Sequence, residues 1–357
     1  MSRLRCVHEP FGDSFYFGPE RLSERYEGDE VERRESGFAD VTFGDVVRSI
    51  QKEEEKAEAE GKRLFIKDIA HYLLPPDGKP ASIAPSLIHL NDGATDTAPI
   101  TFKNSSTSST NTTNSTTAST PTPNSPPYPY LTPTEPSNPT VLPLEILRRF
   151  HWTFLIRHPR SSIPSYYRCT IPPLSHKTGF HNFLPSEAGY SELRRLFEYL
   201  LAEGVIGPKT AGRSSGEGEE NANGSDGEDE TEICLIDADS LLSSPPATIQ
   251  SFCRSCNIPY DPQMLSWSDP ASRRLAQQAF AKWQGFHDDA IKSTGFFELR
   301  EKRRGEGEGE EERLRREEDE ERGWKEMFGE EGAGVVKEAV EGCLEDYEFL
   351  KGFALRG

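Results

Sequence analysis

TFLIRHPRSSIPSYYR, residues 153–168, joins an apolar run to a helix start through Arg157, Arg160, Pro164 and three serines, and its reading decides the fold. A near-continuous apolar strand suits a parallel sheet covered on both faces. The free N–H groups and dipole of a first helical turn attract phosphate, and an arginine can add a planar fork of donors. Arg157 or Arg160 can supply that fork and Ser165 a hydroxyl. Pro164 is then expected in the first turn, where its missing N–H costs no hydrogen bond. A serine-capped helix with arginines paired to acidic neighbours accounts for the same letters equally well.

Working outward, three further runs read as strands: Leu4 to His8, Arg63 to Ile69, and Glu232 to Asp237, with Trp152 to Arg157 making the fourth. Helical periodicity covers residues 43–61, 187–203, 247–256, 273–291 and 335–350. On the 187–203 helix, Leu193, Leu196, Phe197, Leu200 and Leu201 share one face. Strands alternating with helices predict an α/β fold with a mostly parallel sheet.

Three tracts interrupt this pattern. Residues 103–142 are rich in Ser, Thr, Asn and Pro and nearly free of aliphatic side chains, so they cannot offset the entropy of ordering. Residues 207–231 mix Gly, Ser and acidic side chains and are likewise expected to be disordered. Residues 299–326 are almost all charge and read as a solvated helix or as no helix. The foldable segments are therefore 1–102, 143–206, 232–298 and a C-terminal helix in 327–357.

With 60 acidic against 41 basic residues, the net charge of −19 argues against a nucleic-acid or anionic-membrane partner. The mean hydropathy of −0.68 agrees with long stretches left in water. There is no apolar run of about 18 residues and no signal-peptide core, and the six scattered cysteines read as reduced thiols. A cytoplasmic protein is expected. The sequons at Asn104, Asn111 and Asn114 read as chance products of their tract, and Cys253 and Cys256 as core thiols. Trp283, Phe286 and His287 read as packing. No metal-ligand cluster is visible.

The 153–168 segment resembles the one with which sulfotransferases hold the 3′-phosphate of 3′-phosphoadenosine 5′-phosphosulfate (PAPS). CVHEPFGDSFYFGPERLS, FIKDIAHYL, RCTIPP, TGFHNFLPSEAGYSELRRLFEYL, ICLIDADSLL and KWQGFHDDAIKSTGF extend it to a fungal sulfotransferase-like P-loop family. The resemblance implies a three-layer P-loop NTPase-like fold, PAPS as co-substrate, a small acceptor carrying a hydroxyl, and Arg157 and Ser165 as 3′-phosphate ligands. It sets Glu9 as first candidate for the base, with His8 and His71 as rivals, and Lys67 as the cation beside the transferring sulfonate. Where better-known members carry a histidine two residues after that lysine, this chain has Ile69, and His71 is the nearest histidine.

The family's first strand and phosphosulfate loop are expected to be missing, because the chain opens directly on the strand at Leu4 and shows no G-x-x-x-x-G-K-S/T pattern. The family's sheet would place that strand between residues 64–69 and 152–157. Two functions remain open on the sequence: sulfonate transfer, impaired in this chain, or a non-catalytic remnant of the fold with at most weak nucleotide-phosphate binding. Phosphoryl transfer ranks below both.

Overall fold

The computed structural model describes residues 3–88, 132–212, 231–296 and 309–355. The sequons, residues 213–230 and residues 299–308 lie outside the described residues, whereas residues 207–212 of the tract expected to be disordered are tied down by bonds from the Gly207 N–H to the Thr231 carbonyl and from the Ala211 N–H to the Ile233 carbonyl. The chain forms two compact units, Met1–Arg149 and Phe150–Gly357. Helices and two small parallel sheets make it an α/β protein. No described helix is long and apolar enough to cross a membrane.

In the first unit, β1 (Leu4–His8) pairs in parallel with β2 (Arg63–Lys67). Parallel neighbours need a crossover, and α1 (Phe43–Ala59) lies on it. Thr42 and Asp45 form a capping box at its start, and Phe43, Val46, Val47 and Ile50 make its buried face. The buried Glu20 carboxylate accepts from the Phe43 N–H (3.0 Å) and the Ser86 N–H (2.6 Å), an anion at the favourable end of the helix dipole. Gly61, at φ 65°, turns the chain from α1 into β2.

Residues 132–142 belong to the proline-bearing tract expected to stay in water, yet Thr132, Asn138, Thr140, Val141 and Leu142 are buried. Backbone pairing explains this: Ile83 donates to Pro133, Ala84 to Val141 and Val141 to Leu73. Asn138 donates to the Leu142 carbonyl at 2.8 Å and closes the loop on itself.

In the second unit, β3 (Phe154–Ile156) pairs in parallel with β4 (Leu235–Asp237), and Leu235 also bridges to Ala354. The unit's longer helices are α2 (Pro159–Cys169), α3 (Tyr190–Ala202), α4 (Pro245–Ser255), α5 (Pro270–Ala279) and α6 (Glu310–Lys351). Leu196, Phe197 and Leu200 of α3 are fully buried, as are Val336, Val340, Tyr347 and Leu350 of α6. Cys169, Cys234, Cys253 and Cys256 are buried and in no disulfide.

Two expectations need correction here. The single helix expected over 273–291 is three short pieces: α5 ends at Ala279, the turn Ala281–Trp283 follows, and Gly285, at φ 89°, leads into the helix Asp288–Lys292. Of the two readings left open for the charged tract, the helix forms over residues 310–326 as the first half of α6, where Trp324 is buried under Arg160, and Gly329 kinks it from the second half. The strands are also less covered than a sheet interior: β2 is only half-buried over Leu64–Lys67, and Leu155 is 62% exposed. Arg63 donates to Arg3 and Glu9 to Lys67, which turns residues 63, 65 and 67 toward β1 and Leu64 and Ile66 toward the far edge. Among the described residues, no strand pairs with that edge.

Candidate active site

β1 and β2 run parallel, so their carboxyl ends lie side by side, the place where open α/β sheets bind ligands. Two of the expected site residues meet there although 58 positions separate them: Lys67 Nζ donates to Glu9 Oε1. Glu9 is 2% exposed, whereas the Lys67 side chain is 42% exposed, so the ammonium bridges solvent and a buried carboxylate. Tyr72 Oη donates to the other carboxylate oxygen, Oε2, at 3.4 Å.

Glu9 also has an uncommon backbone, with φ at +48°. A residue with a Cβ pays for that conformation and keeps it only where the surroundings dictate it. They do so here. The Glu9 N–H donates to the Lys67 carbonyl at 2.6 Å, Pro10 has no N–H, and the Phe11 N–H donates to Asp68 Oδ2 at 3.0 Å.

The two histidines near the pair differ from it and from each other. His8 Nε2 stands 3.8 Å from Glu9 Oε1, beyond hydrogen-bond reach. His71 lies in the turn Ala70–Leu73, is 5% exposed, and packs edge-on against Phe15 and Tyr72. Neither of its ring nitrogens has a hydrogen-bond partner among the described residues. Desolvation first, then the charges of Lys67 and Arg25, lower its pKa to about 3, which keeps the imidazole neutral.

The phosphate candidates occupy the second unit. Arg157 is exposed at the end of β3, and its guanidinium has no ion-pair partner among the described residues. Its backbone is fixed: Tyr190 Oη donates to the Arg157 carbonyl, and the Tyr190 and Ser162 hydroxyls lie 2.6 Å apart. Burial raises the Tyr190 pKa, so the phenol keeps the proton that this bond uses. Ser165 lies in the second turn of α2, one turn after Ser161 on the same face, and neither hydroxyl has a partner among the described residues.

Arg160, the other guanidinium considered, is committed elsewhere. Its Nε donates to Glu320 at 2.7 Å and its terminal nitrogen to the Glu317 carbonyl at 2.9 Å, over the Trp324 ring. Pro164 does not open the helix: Pro159 takes the first position, and Pro164 sits inside α2, where no N–H reaches back to Arg160. The first-turn N–H groups are occupied too, since Arg160 donates to His158 Nδ1 and Ser161 and Ser162 to the His158 carbonyl. An anion here would be held by side chains.

The chain is similar to sulfotransferase ppzF of Metarhizium rileyi, with 26% identity over 61% of this chain and 56% of that protein. Its counterpart in Metarhizium majus matches at 25% over the same shares. The relationship is sulfotransferase-like. The chain spans about half the length of these relatives. A branched-chain-amino-acid aminotransferase-like protein 2 of Arabidopsis thaliana is 27% identical over 43% of this chain and 20% of its own length. No protein-family profile and no solved structure matches.

Asp68, Tyr72 and Tyr190 escaped the reading of the sequence. Asp68 carries a local signal, as an acidic side chain directly after an apolar strand and its terminal lysine. Tyr72 and Tyr190 carry none, because each acts on a residue distant in sequence, Glu9 in one case and Arg157 in the other.

Proposed function

We propose that the protein transfers a sulfonate group from PAPS to a hydroxyl of a small acceptor, on a P-loop NTPase-like fold. The observation that carries this reading is the meeting of Glu9 and Lys67 at the carboxyl ends of two parallel strands. The distant sulfotransferase relatives agree with it.

In this mechanism the acceptor oxygen attacks sulfur in line with the leaving phosphate oxygen. Glu9 takes the acceptor's proton as the oxygen–sulfur bond forms. Lys67 neutralises charge that develops on the bridging oxygen as the old sulfur–oxygen bond breaks, leaving adenosine 3′,5′-bisphosphate. Tyr72 holds the carboxylate by its second oxygen. Arg157, Ser165 and Ser161 would bind the 3′-phosphate, and their unengaged side chains fit an anion.

A second reading, nucleotide-phosphate binding without transfer, is favoured by the occupied first-turn N–H groups of α2, which leave only side chains to hold an anion. Incubation of the full chain with sulfur-labelled PAPS and a panel of phenols and alcohols separates the two. Label in an acceptor product supports transfer, and saturable bisphosphate binding without product supports the second reading.

A further inference from the structure

The backbone donors of residues 9–11 are taken by residues 67 and 68. The Glu9 N–H is taken by the Lys67 carbonyl, and the next available donor, the Phe11 N–H, by Asp68 Oδ2. The remaining oxygen of that carboxyl, Oδ1, accepts from its own neighbour Ile69 at 2.8 Å. The Asp68 carboxyl thus clasps the exit of β2 to the turn that follows β1. Both of its oxygens point at backbone donors, so it is not placed to take a proton from an acceptor.

We infer that Asp68 is a positioning residue: by tying Phe11 to the end of β2, it keeps Glu9 in its left-handed conformation with the carboxylate on Lys67. This rests on the reading of Glu9 and Lys67 as the reacting pair. Without the clasp, the Phe11 N–H loses its acceptor, and the strained Glu9 backbone is free to relax to an ordinary conformation that carries the carboxylate off Lys67. Lys67 itself stays on its strand.

Electrostatics make the clasp adjustable. Desolvation, reinforced by the charge of Glu9 and opposed by the two N–H bonds and Lys67, raises the Asp68 pKa to about 7. The charged groups facing it are Glu9 from the end of β1 and Lys67 from the end of β2; His71 in the following turn is neutral. Ionised, both oxygens accept; protonated, one becomes a donor and grips less well.

The test is the carbon-13 resonance of the Glu9 carboxyl in the full chain, followed against pH, with hydrogen exchange at the Phe11 amide. In the wild type the Glu9 resonance should step near pH 7 as Asp68 titrates beside it. Asp68→Asn, of the same size, should abolish the step, move the resonance toward that of a solvated glutamate, and speed Phe11 exchange roughly tenfold or more, the loss of one charge-assisted bond. Asp68→Glu should recover part of the shift, and Val47→Ala, a loss of core packing in α1, should leave it in place. A Glu9 resonance in Asp68→Asn that coincides with the wild type overturns the inference. A shifted resonance in a protein that shows no sulfonate transfer keeps Asp68 as the clasp and removes the transfer reading. Transfer in the wild type with no shift in Asp68→Asn does the reverse.

Discussion

The two candidate sites are built in opposite ways. At Glu9 and Lys67, strands from distant parts of the sequence bring a buried carboxylate onto a half-exposed ammonium, and the backbone is strained to do it. At Arg157, every candidate falls within one strand exit and one helix, and the side chains of Arg157, Ser161 and Ser165 stand unengaged. The first arrangement suits bond-making, where preorganised charge counts most. The second suits capture of an anion from solvent. A site assembled over long range fails by misplacement, whereas a local one fails only by loss of the side chain itself.

Several variants bear on this contrast. Glu9→Gln removes the proton acceptor while keeping shape, and should lower transfer about 10²–10⁴-fold in a labelled-sulfonate assay, with bisphosphate binding intact. Arg157→Ala should weaken adenosine 3′,5′-bisphosphate roughly tenfold or more by calorimetry, and leave the Glu9 carboxyl resonance unmoved. If either variant damages both properties equally, the division of labour between the sites is wrong.

Arg160→Met sharpens the contrast within the second unit, because Arg160 and Arg157 lie three residues apart in sequence and serve different ends. It should cost about 1–2 kcal/mol in chemical denaturation and loosen residues 310–328 in hydrogen exchange, with little change in bisphosphate affinity. The carboxylates that face Arg160 are partly exposed, so water compensates much of the lost pairing.

The smallest effect concerns His71. Its folded pKa of about 3 lies below the usual 6.5, so the unfolded chain binds more protons between these values. His71 therefore contributes stability that is present above about pH 6.5 and is lost as pH falls toward 3. Asp68, raised from 3.8 to about 7, works the other way: its contribution is present below about pH 4 and is lost as pH rises to 7. His71→Phe should make the melting temperature at pH 5 closer to that at pH 7 or higher than it, and Asp68→Asn should steepen the fall on acidification.

What the sequence made legible follows from range. Four strands and the cores of α1, α3 and α6 show in local periodicity, and the Arg157 segment shows in one run of letters. The break in the 273–291 pattern did not, since α5 stops at Ala279 with no glycine or proline there to mark it, and a single glycine such as Gly285 is tolerated in a helical pattern. Residues 132–142 looked unable to bury surface, but backbone bonds to residues 73, 83 and 84 and the Asn138 side chain hold them, contributions that composition does not display. Glu9 and Lys67 stood out as charged residues ending apolar strands; that they touch depends on the register of β1 and β2, and that Glu9 is held left-handed depends on Asp68.

The most direct test of the account is release of adenosine 3′,5′-bisphosphate from PAPS, in step with labelled product, by the wild-type chain and by Glu9→Gln and Lys67→Met. The account predicts acceptor-dependent release by the wild type and a fall of at least about 100-fold in both variants, without loss of bisphosphate binding. No release by the wild type with any acceptor, or release at the wild-type rate by Glu9→Gln, would contradict it.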